Sequence, residues 1–224
     1  MKLTVSMITM NEEGAIAKVV SDIRRVAPGA EILVVDSSRD ATATIAEALG
    51  CRVLRQLPPQ GYGPAMDRAL REASGEVVVT LDCDDTYPVE AIPVLLAEIE
   101  AGWDLVDGSR LQRRPKAMPL ANYLANWVFA CTARLLHGLR TTDLHSGMRA
   151  YRKSMLERIP WDPVGPALPV ELLLYPYRLG FRVKEIGIDY RERIGTTSLH
   201  RFKSTVWTFK RIFRLLKVPK AARV

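Results

Sequence analysis

The chain has 224 residues, is 48% hydrophobic, and carries 32 Lys plus Arg against 25 Asp plus Glu, a formal charge of +7. That length and apolar content suit one sizeable domain and exclude a disordered chain. Cys51, Cys83 and Cys131 are far apart and form no C-x-x-C pair, which excludes a zinc ribbon or a disulfide framework and favours reduced thiols in a cytoplasmic setting.

Met1 leads straight into a strand-like run, Leu3 to Thr9, so no signal peptide is expected. Glu12 to Val26 has helical spacing, with Ile16, Val19, Val20 and Ile23 on one face. Ile32 to Val35 reads as a buried strand, Ala41 to Leu49 as a helix stopped by Gly50, and Arg52 to Arg55 as a short strand. After a Pro/Gly loop from Pro58 to Gly63 come a helix from Ala65 to Ala73, a strand from Val77 to Leu81, a helix from Val89 to Glu100 and a strand from Asp104 to Val106. Met118 to Leu136 reads as an apolar helix that Asn122, Asn126 and Arg134 make unsuitable for spanning a bilayer. Leu139 to Tyr151 reads as a polar loop, Val170 to Leu179 as a helix and Arg182 to Ile188 as a strand.

Strands separated by helices of this length indicate βαβ units and a mostly parallel sheet covered on both faces. Ligands of such sheets bind beyond the carboxyl ends of the strands. That rule singles out Met10-Asn11-Glu12, Asp36-Ser37-Ser38, Asp82-Cys83-Asp84-Asp85 and Asp107-Gly108-Ser109-Arg110. Three carboxylates crowded after one strand repel each other unless a cation joins them, and an all-oxygen set suits Mg²⁺ or Mn²⁺ shared with substrate phosphates. The alternatives are a solvated loop capping the next helix and, for Asp36, a helix cap in place of a nucleotide contact.

The basic excess is concentrated in residues 199–224, which contain no acidic residue. Leu199, Phe202, Val206, Phe209, Phe213 and Leu216 fall at helical spacing among those cations. Such a helix can lie in an anionic membrane interface or dock on the core with a basic outer face. Nucleic acid is not expected as a partner, because no recognition motif accompanies the charge.

The motifs in order are Met10-Asn11-Glu12-Glu13, Val34 to Thr42, Gly61 to Ala65, Asp82 to Pro88, Gly108-Ser109-Arg110 and Asp143 to Tyr151; together they resemble family 2 glycosyltransferases of the GT-A fold, and within them the dolichyl- or polyprenyl-phosphate mannose synthases. Met10-Asn11-Glu12-Glu13 resembles that family's T-x-N-E, and Val34 to Thr42 its V-D-D-x-S-x-D-x-T. Gly61-Tyr62-Gly63-Pro64-Ala65 resembles its G-x-G-x-A, and Asp82 to Pro88 its D-A-D-x-x-x-P, with Thr86 where a Gln is frequent. Gly108-Ser109-Arg110 is its G-S-R, and Asp143 to Tyr151 resembles its D-x-x-S-G-F-R-x-Y.

The resemblance implies a single Rossmann-like α/β domain over residues 1–198 and a C-terminal amphipathic helix over 199–224. It implies that Asn11, Glu12, Asp36, Gly63 and Asp82 hold the nucleotide, and that Asp82 and Asp84 hold Mg²⁺ or Mn²⁺. Arg110 and Arg149 would join Asp84 in catalysis and, with Ser146, Arg193 and Lys203, face the acceptor. The implied reaction is inverting transfer of a hexose from a sugar nucleotide, GDP-mannose or a UDP-sugar, to polyprenyl phosphate, at the cytoplasmic face of a membrane. Two alternatives stay open: a soluble hydroxyl acceptor, which would need Asp85 or Asp143 as base, and a non-catalytic sugar-nucleotide-binding protein.

Overall fold

Buried β-branched runs and amphipathic helices alternate through the first half of the computed structural model, which describes residues 1–112, 114–116, 118–192 and 201–221, with backbone only for 201–203. The elements in order are β1 (Leu3–Thr9), α1 (Ile16–Val26), β2 (Glu31–Asp36), α2 (Thr42–Ala48), β3 (Arg52–Arg55), α3 (Tyr62–Glu72), β4 (Val77–Thr80), α4 (Ile92–Glu100) and β5 (Leu105–Ser109). Then come α5 (Leu120–His137), β6 (Arg149–Arg152), α6 (Lys153–Leu156), α7 (Leu168–Arg178), β7 (Val183–Gly187) and α8 (Arg201–Arg214).

The strands form one seven-stranded sheet in the order β3-β2-β1-β4-β6-β5-β7. Every neighbouring pair is parallel except those of β6, which runs antiparallel between β4 and β5. Strand side chains alternate between faces, so the sheet divides two cores. Val5, Met7, Val34, Val79 and Val106 meet α1 and α4 on one side. Leu33, Val35, Val78, Leu105 and Tyr151 meet α3, α5, α7 and α8 on the other. The expected mostly parallel, doubly covered sheet is therefore present.

Three local readings change. Glu12 to Ala15 is a turn, and α1 begins at Ile16, because the Glu12 carbonyl accepts both the Ala15 and Ile16 amides. Helix α3 begins at Tyr62, inside the expected loop. The segment 139–151 ends in strand β6, which sequence reading takes for loop. A four-residue strand reading Arg-Ala-Tyr-Arg carries little apolar alternation; its register with Val77–Thr80 and Leu105–Asp107 makes it a strand.

The C-terminal helix docks on the domain. Its buried positions are Thr208, Arg211 and Ile212, followed by Leu215 in the 3-10 turn Leu215–Lys217. Arg211 pairs with Glu171 of α7, and Arg214 reaches both Glu171 at 2.7 Å and Asp162 at 2.6 Å. Glu171 is 2% exposed and Arg211 1%. Removing one member of such a buried pair leaves an uncompensated charge, at a cost of about 3–5 kcal/mol. Glu171→Ala is therefore expected to lower the unfolding free energy by about that much in urea denaturation, whereas a loosely attached helix would leave the transition unchanged.

Candidate active site

The β1 and β2 ends form the first part of the site. Asn11 sits at φ 62°, a region that Asn tolerates better than most residues. Its amide donates to Ser38 Oγ at 2.8 Å, and its Oδ1 accepts from the Arg39 amide at 3.0 Å. The Glu12 amide donates to Thr42 Oγ1 at 2.9 Å. These bonds stitch the two loops into one rim. Asp36 is fully buried beneath it, accepting from Thr9 Oγ1 (2.7 Å), Ser38 Oγ (2.6 Å), the Ser38 amide (3.1 Å) and Arg55 Nη1 (2.6 Å). Expected as a direct nucleotide ligand, Asp36 here organises the rim from below, because its carboxylate is committed to four donors.

Gly63 also has a packing reason. A Cβ there would lie 1.7 Å from the Pro163 carbonyl oxygen, so α3 approaches the 163–165 segment through a position where only hydrogen fits. This contact, with the chain's own backbone, gives Gly63 a packing role alongside the nucleotide role expected of it.

Asp82 and Asp84 follow β4. Asp82 is half-buried and lies over Gly147, where a Cβ would come within 3.1 Å of both carboxylate oxygens. Its charge, after burial, contributes to holding the Tyr62 phenol well above the ordinary tyrosine range. Asp84 is buried, and Thr86 fixes it, donating from its amide (3.1 Å) and its hydroxyl (2.5 Å) to Oδ1. Thr86, at the family's usual Gln position, thus orients a carboxylate. Asp85 turns away: at φ 62° it meets Lys18 at 2.8 Å and Arg191 at 4.0 Å. The expected three-carboxylate cluster is therefore two.

Among the described residues, no three Asp, Glu, His or Cys side chains form an all-protein metal cage. Two carboxylates beside a strand end fit Mg²⁺ or Mn²⁺, which commonly take one or two protein carboxylates and complete their shell with water and substrate phosphate.

Arg110 follows β5. Its guanidinium is forked onto Asp143, with Nε 2.6 Å from Oδ2 and Nη2 2.9 Å from Oδ1. Against the burial that would raise it, Arg110 holds the Asp143 carboxyl below the usual range. Arg110 also lies over the Tyr190 ring, 5.4 Å from its centre. Tyr190 meets Tyr87 edge-on at 5.9 Å, and the Tyr87 hydroxyl accepts the Gly147 amide at 2.7 Å. A continuous contact path therefore runs from Asp82 through Gly147, Tyr87 and Tyr190 to Arg110. Beyond Arg110 lies a cleft of about 390 Å³ whose cations are Arg110, Arg114, Lys116 and Arg191, against Asp189 and Glu192. Arg191 and Tyr190 carry no motif signal and come to the site through the segment after β7. The Arg191 amide donates to the Thr86 carbonyl at 2.9 Å.

Arg149 and Ser146 do not face this cleft. Arg149 is fully buried, bonded to Asp107 and the Pro169 carbonyl and, at 3.1 Å, to the Leu144 carbonyl. Ser146 Oγ is buried and donates to the Gly108 carbonyl at 2.6 Å. Both were expected to face the acceptor; strand β6 carries Arg149 into the interior, and Ser146 braces the loop before it. Arg193 and the side chain of Lys203 lie outside the described residues.

The sequence profile described as glycosyl transferase family 2 matches residues 4–160. The chain belongs to that family. It is 44% identical to the dolichyl-phosphate hexose transferase of Haloferax volcanii over 89% of this chain and 87% of that one. It is 30% identical to the undecaprenyl-phosphate mannosyltransferase of Micrococcus luteus over 86% of this chain and 85% of that one. Its fold matches a crystal structure of glucosyl-3-phosphoglycerate synthase from Mycobacterium tuberculosis in complex with UDP, with TM-score 0.78, 23% identity, and coverage of 98% of this chain and 82% of that one. The protein is thus a GT-A-type glycosyltransferase.

His145 ties this site to the helices beneath it. Its Nε2 lies 2.8 Å from Thr208 Oγ1 on α8, and its ring meets Phe129 of α5 edge-on at 5.7 Å. The Thr208 hydroxyl donates its proton to the Ser204 carbonyl, so the hydrogen in the first bond belongs to His145 Nε2. Burial holds the His145 imidazole down at about 4. Because the unfolded chain takes up that proton near pH 6.5, this contribution to stability is complete above 6.5 and is lost as pH falls toward 4. His145→Gln is expected to flatten the stability profile between pH 6.5 and 4, removing an acid-side loss of up to about 3 kcal/mol. Parallel profiles for both proteins in pH-dependent denaturation would show that His145 does not titrate in this way.

Proposed function

We propose that this glycosyltransferase moves a hexose from a sugar nucleotide to a polyprenyl phosphate, with inversion and with Mg²⁺ or Mn²⁺ at Asp82 and Asp84. The observation that carries this reading is the cation-rich cleft itself, where Arg110, Arg114, Lys116 and Arg191 outnumber Asp189 and Glu192. Of the two carboxylates considered as bases for a hydroxyl acceptor, Asp143 is clamped by Arg110 and Asp85 by Lys18. A phosphate monoester needs neither, since its oxygen is already anionic near neutral pH. The names of the Haloferax and Micrococcus relatives, both lipid-phosphate sugar transferases, support the same acceptor class.

The chain's own groups then have two tasks, alignment and relief of repulsion between two anions. Asp82 and Asp84 supply oxygen ligands at the donor end, with Asp84 pre-oriented by Thr86. A divalent cation held there would neutralise charge building on the leaving diphosphate. Arg110, Arg114, Lys116 and Arg191 receive the acceptor phosphate, and Asp143 fixes the Arg110 fork so that its planar donors are pre-aimed. Incubation with labelled sugar nucleotides, Mg²⁺ or Mn²⁺ and polyprenyl phosphate should give organic-soluble label. Asp84→Ala should cut that rate by about 10²-fold or more, while Asp85→Asn should change it only a few-fold. A loss of about 10²–10⁴-fold in Asp85→Asn, the scale of a missing general base, would favour a hydroxyl acceptor instead.

The acceptor chemistry places the protein at a membrane surface, and the outer surface supports that. Among the described residues, no helix is long and apolar enough to cross a bilayer. Helix α5 instead exposes Leu120, Leu124, Trp127, Val128 and Leu135, and the adjacent α8 exposes Val206, Phe213 and Leu216. Of the stripe its spacing marks as apolar, Phe209 packs on Phe129 of α5, whereas Val206, Phe213 and Leu216 are left outward because docking also uses Thr208, Arg211, Ile212 and Leu215. Exposed Lys210 and Lys217 flank it. Apolar residues with a basic border suit peripheral contact with anionic lipid. The native chain should float with anionic liposomes and a Leu124→Glu/Trp127→Glu variant should not; equal flotation would place the contact elsewhere.

A further inference from the structure

Resting on the sugar-nucleotide reading above, we propose that Gln56 reads the donor's base and selects one that carries a ring carbonyl, uracil or guanine, over adenine. Asp36, expected to hold the nucleotide, is withdrawn beneath the rim with its carboxylate engaged by four donors. The group that meets the base must therefore lie beside it. Gln56 is next to Asp36 in space: its amide donates to the Asp36 carbonyl at 2.8 Å, and its own carbonyl accepts from Ser37 Oγ at 3.1 Å.

The Gln56 side chain is 7% exposed, and its Nε2 has no hydrogen-bond partner. An unpaired buried amide is costly and uncommon. Here it lines a cleft of about 580 Å³ formed with Arg55, Leu57, Gln60, Asp67 and Arg68. Gln60 is exposed, and the charged side chains of that cleft are held in place. Arg55 Nη1 and Nη2 bind Asp36 and the Ser38 carbonyl, Arg68 Nη1 binds the Arg55 carbonyl at 2.8 Å, and Asp67 Oδ1 accepts from Arg71 and Trp161. The unmatched N–H donor is thus the feature that calls for a ligand acceptor, and the two arginines make the surroundings favour an electron-rich carbonyl. Adenine presents an amino group in place of that carbonyl.

The position also suits a nucleotide. Gln56 follows β3 and Asp82 follows β4, three strand steps apart in the order β3-β2-β1-β4. At a strand spacing of about 4.8 Å, that separates them by about 14 Å, on the order of the distance between the base edge and terminal phosphate of an extended nucleoside diphosphate. The base would lie at the β3 edge, the ribose over the Asn11 rim and the diphosphate at Asp82.

The test is calorimetric titration of the full-length protein in Mg²⁺ with UDP, GDP, ADP and inorganic pyrophosphate, which lacks a base. Native protein should bind UDP or GDP about tenfold or more tighter than ADP. Gln56→Leu, and Gln56→Glu, which keeps the side-chain size while removing the N–H donor, should each lose about tenfold for the preferred nucleotide. Both should keep native affinity for pyrophosphate, which also shows that they are folded. Unchanged nucleotide affinity in both variants, or an equal loss for nucleotides and pyrophosphate, would overturn the role of Gln56 alone. Failure of the native protein to bind any nucleoside diphosphate would overturn the donor reading and this proposal together.

Discussion

The contact between Arg149 and Asp107 joins the two halves of the sheet, and the site is arranged around it. Both groups are buried, 0% and 1% exposed, where an unpaired charge would be costly and even a paired one needs every hydrogen bond satisfied around it. Arg149 reaches β5 through Asp107, the loop before β6 through Leu144 and the start of α7 through Pro169, while Asp107 Oδ2 is left without a hydrogen-bond partner among the described residues. Strand β6 is thereby wedged antiparallel between β4 and β5. The wedge brings Gly147 under Asp82 and places Asp143 against Arg110.

From that constraint follows a separation of labour along one edge of the sheet. The proposed donor side lies over β3, β2, β1 and β4, where buried Asp36 and Asp84 are oriented by hydroxyls and amides. The proposed acceptor side lies over β5 and β7, where Arg110, Arg114, Lys116 and Arg191 outnumber Asp189 and Glu192 around a cleft and Asp143 is paired with Arg110. Tyr87 and Tyr190 couple the two sides through ring contact. A cation-rich cleft beside a separate pair of carboxylates suits the proposed reaction between two anions.

The docking of α8 has a similar logic. Helix position is set by two arginines on a buried glutamate together with Ile212 and Leu215 in the core, so the remaining apolar side chains are not all needed for attachment. Val206, Phe213 and Leu216 are left outward beside the exposed stripe of α5. A helix held by polar anchors can offer its apolar face to something else, which is the physical basis for reading that face as membrane-directed.

The sequence by itself determined the strand–helix alternation, the two-sided core and the row of polar residues at the strand ends, because these depend on local periodicity and on where buried runs stop. It also marked Asp82, Asp84, Arg110 and the ordered motifs around them. Tertiary structure decided which marked residues stay near the surface and which are drawn into the interior. Asp36, Ser146 and Arg149 sit in motifs yet serve the interior, while Arg191, Tyr190 and Gln56 carry no motif signal yet line clefts. The reason is that a side chain's role depends on what its neighbours in space have already bonded. That is set by β6 pairing with β4 and β5 and by the segment after β7 returning to Thr86, long-range contacts that local periodicity does not encode.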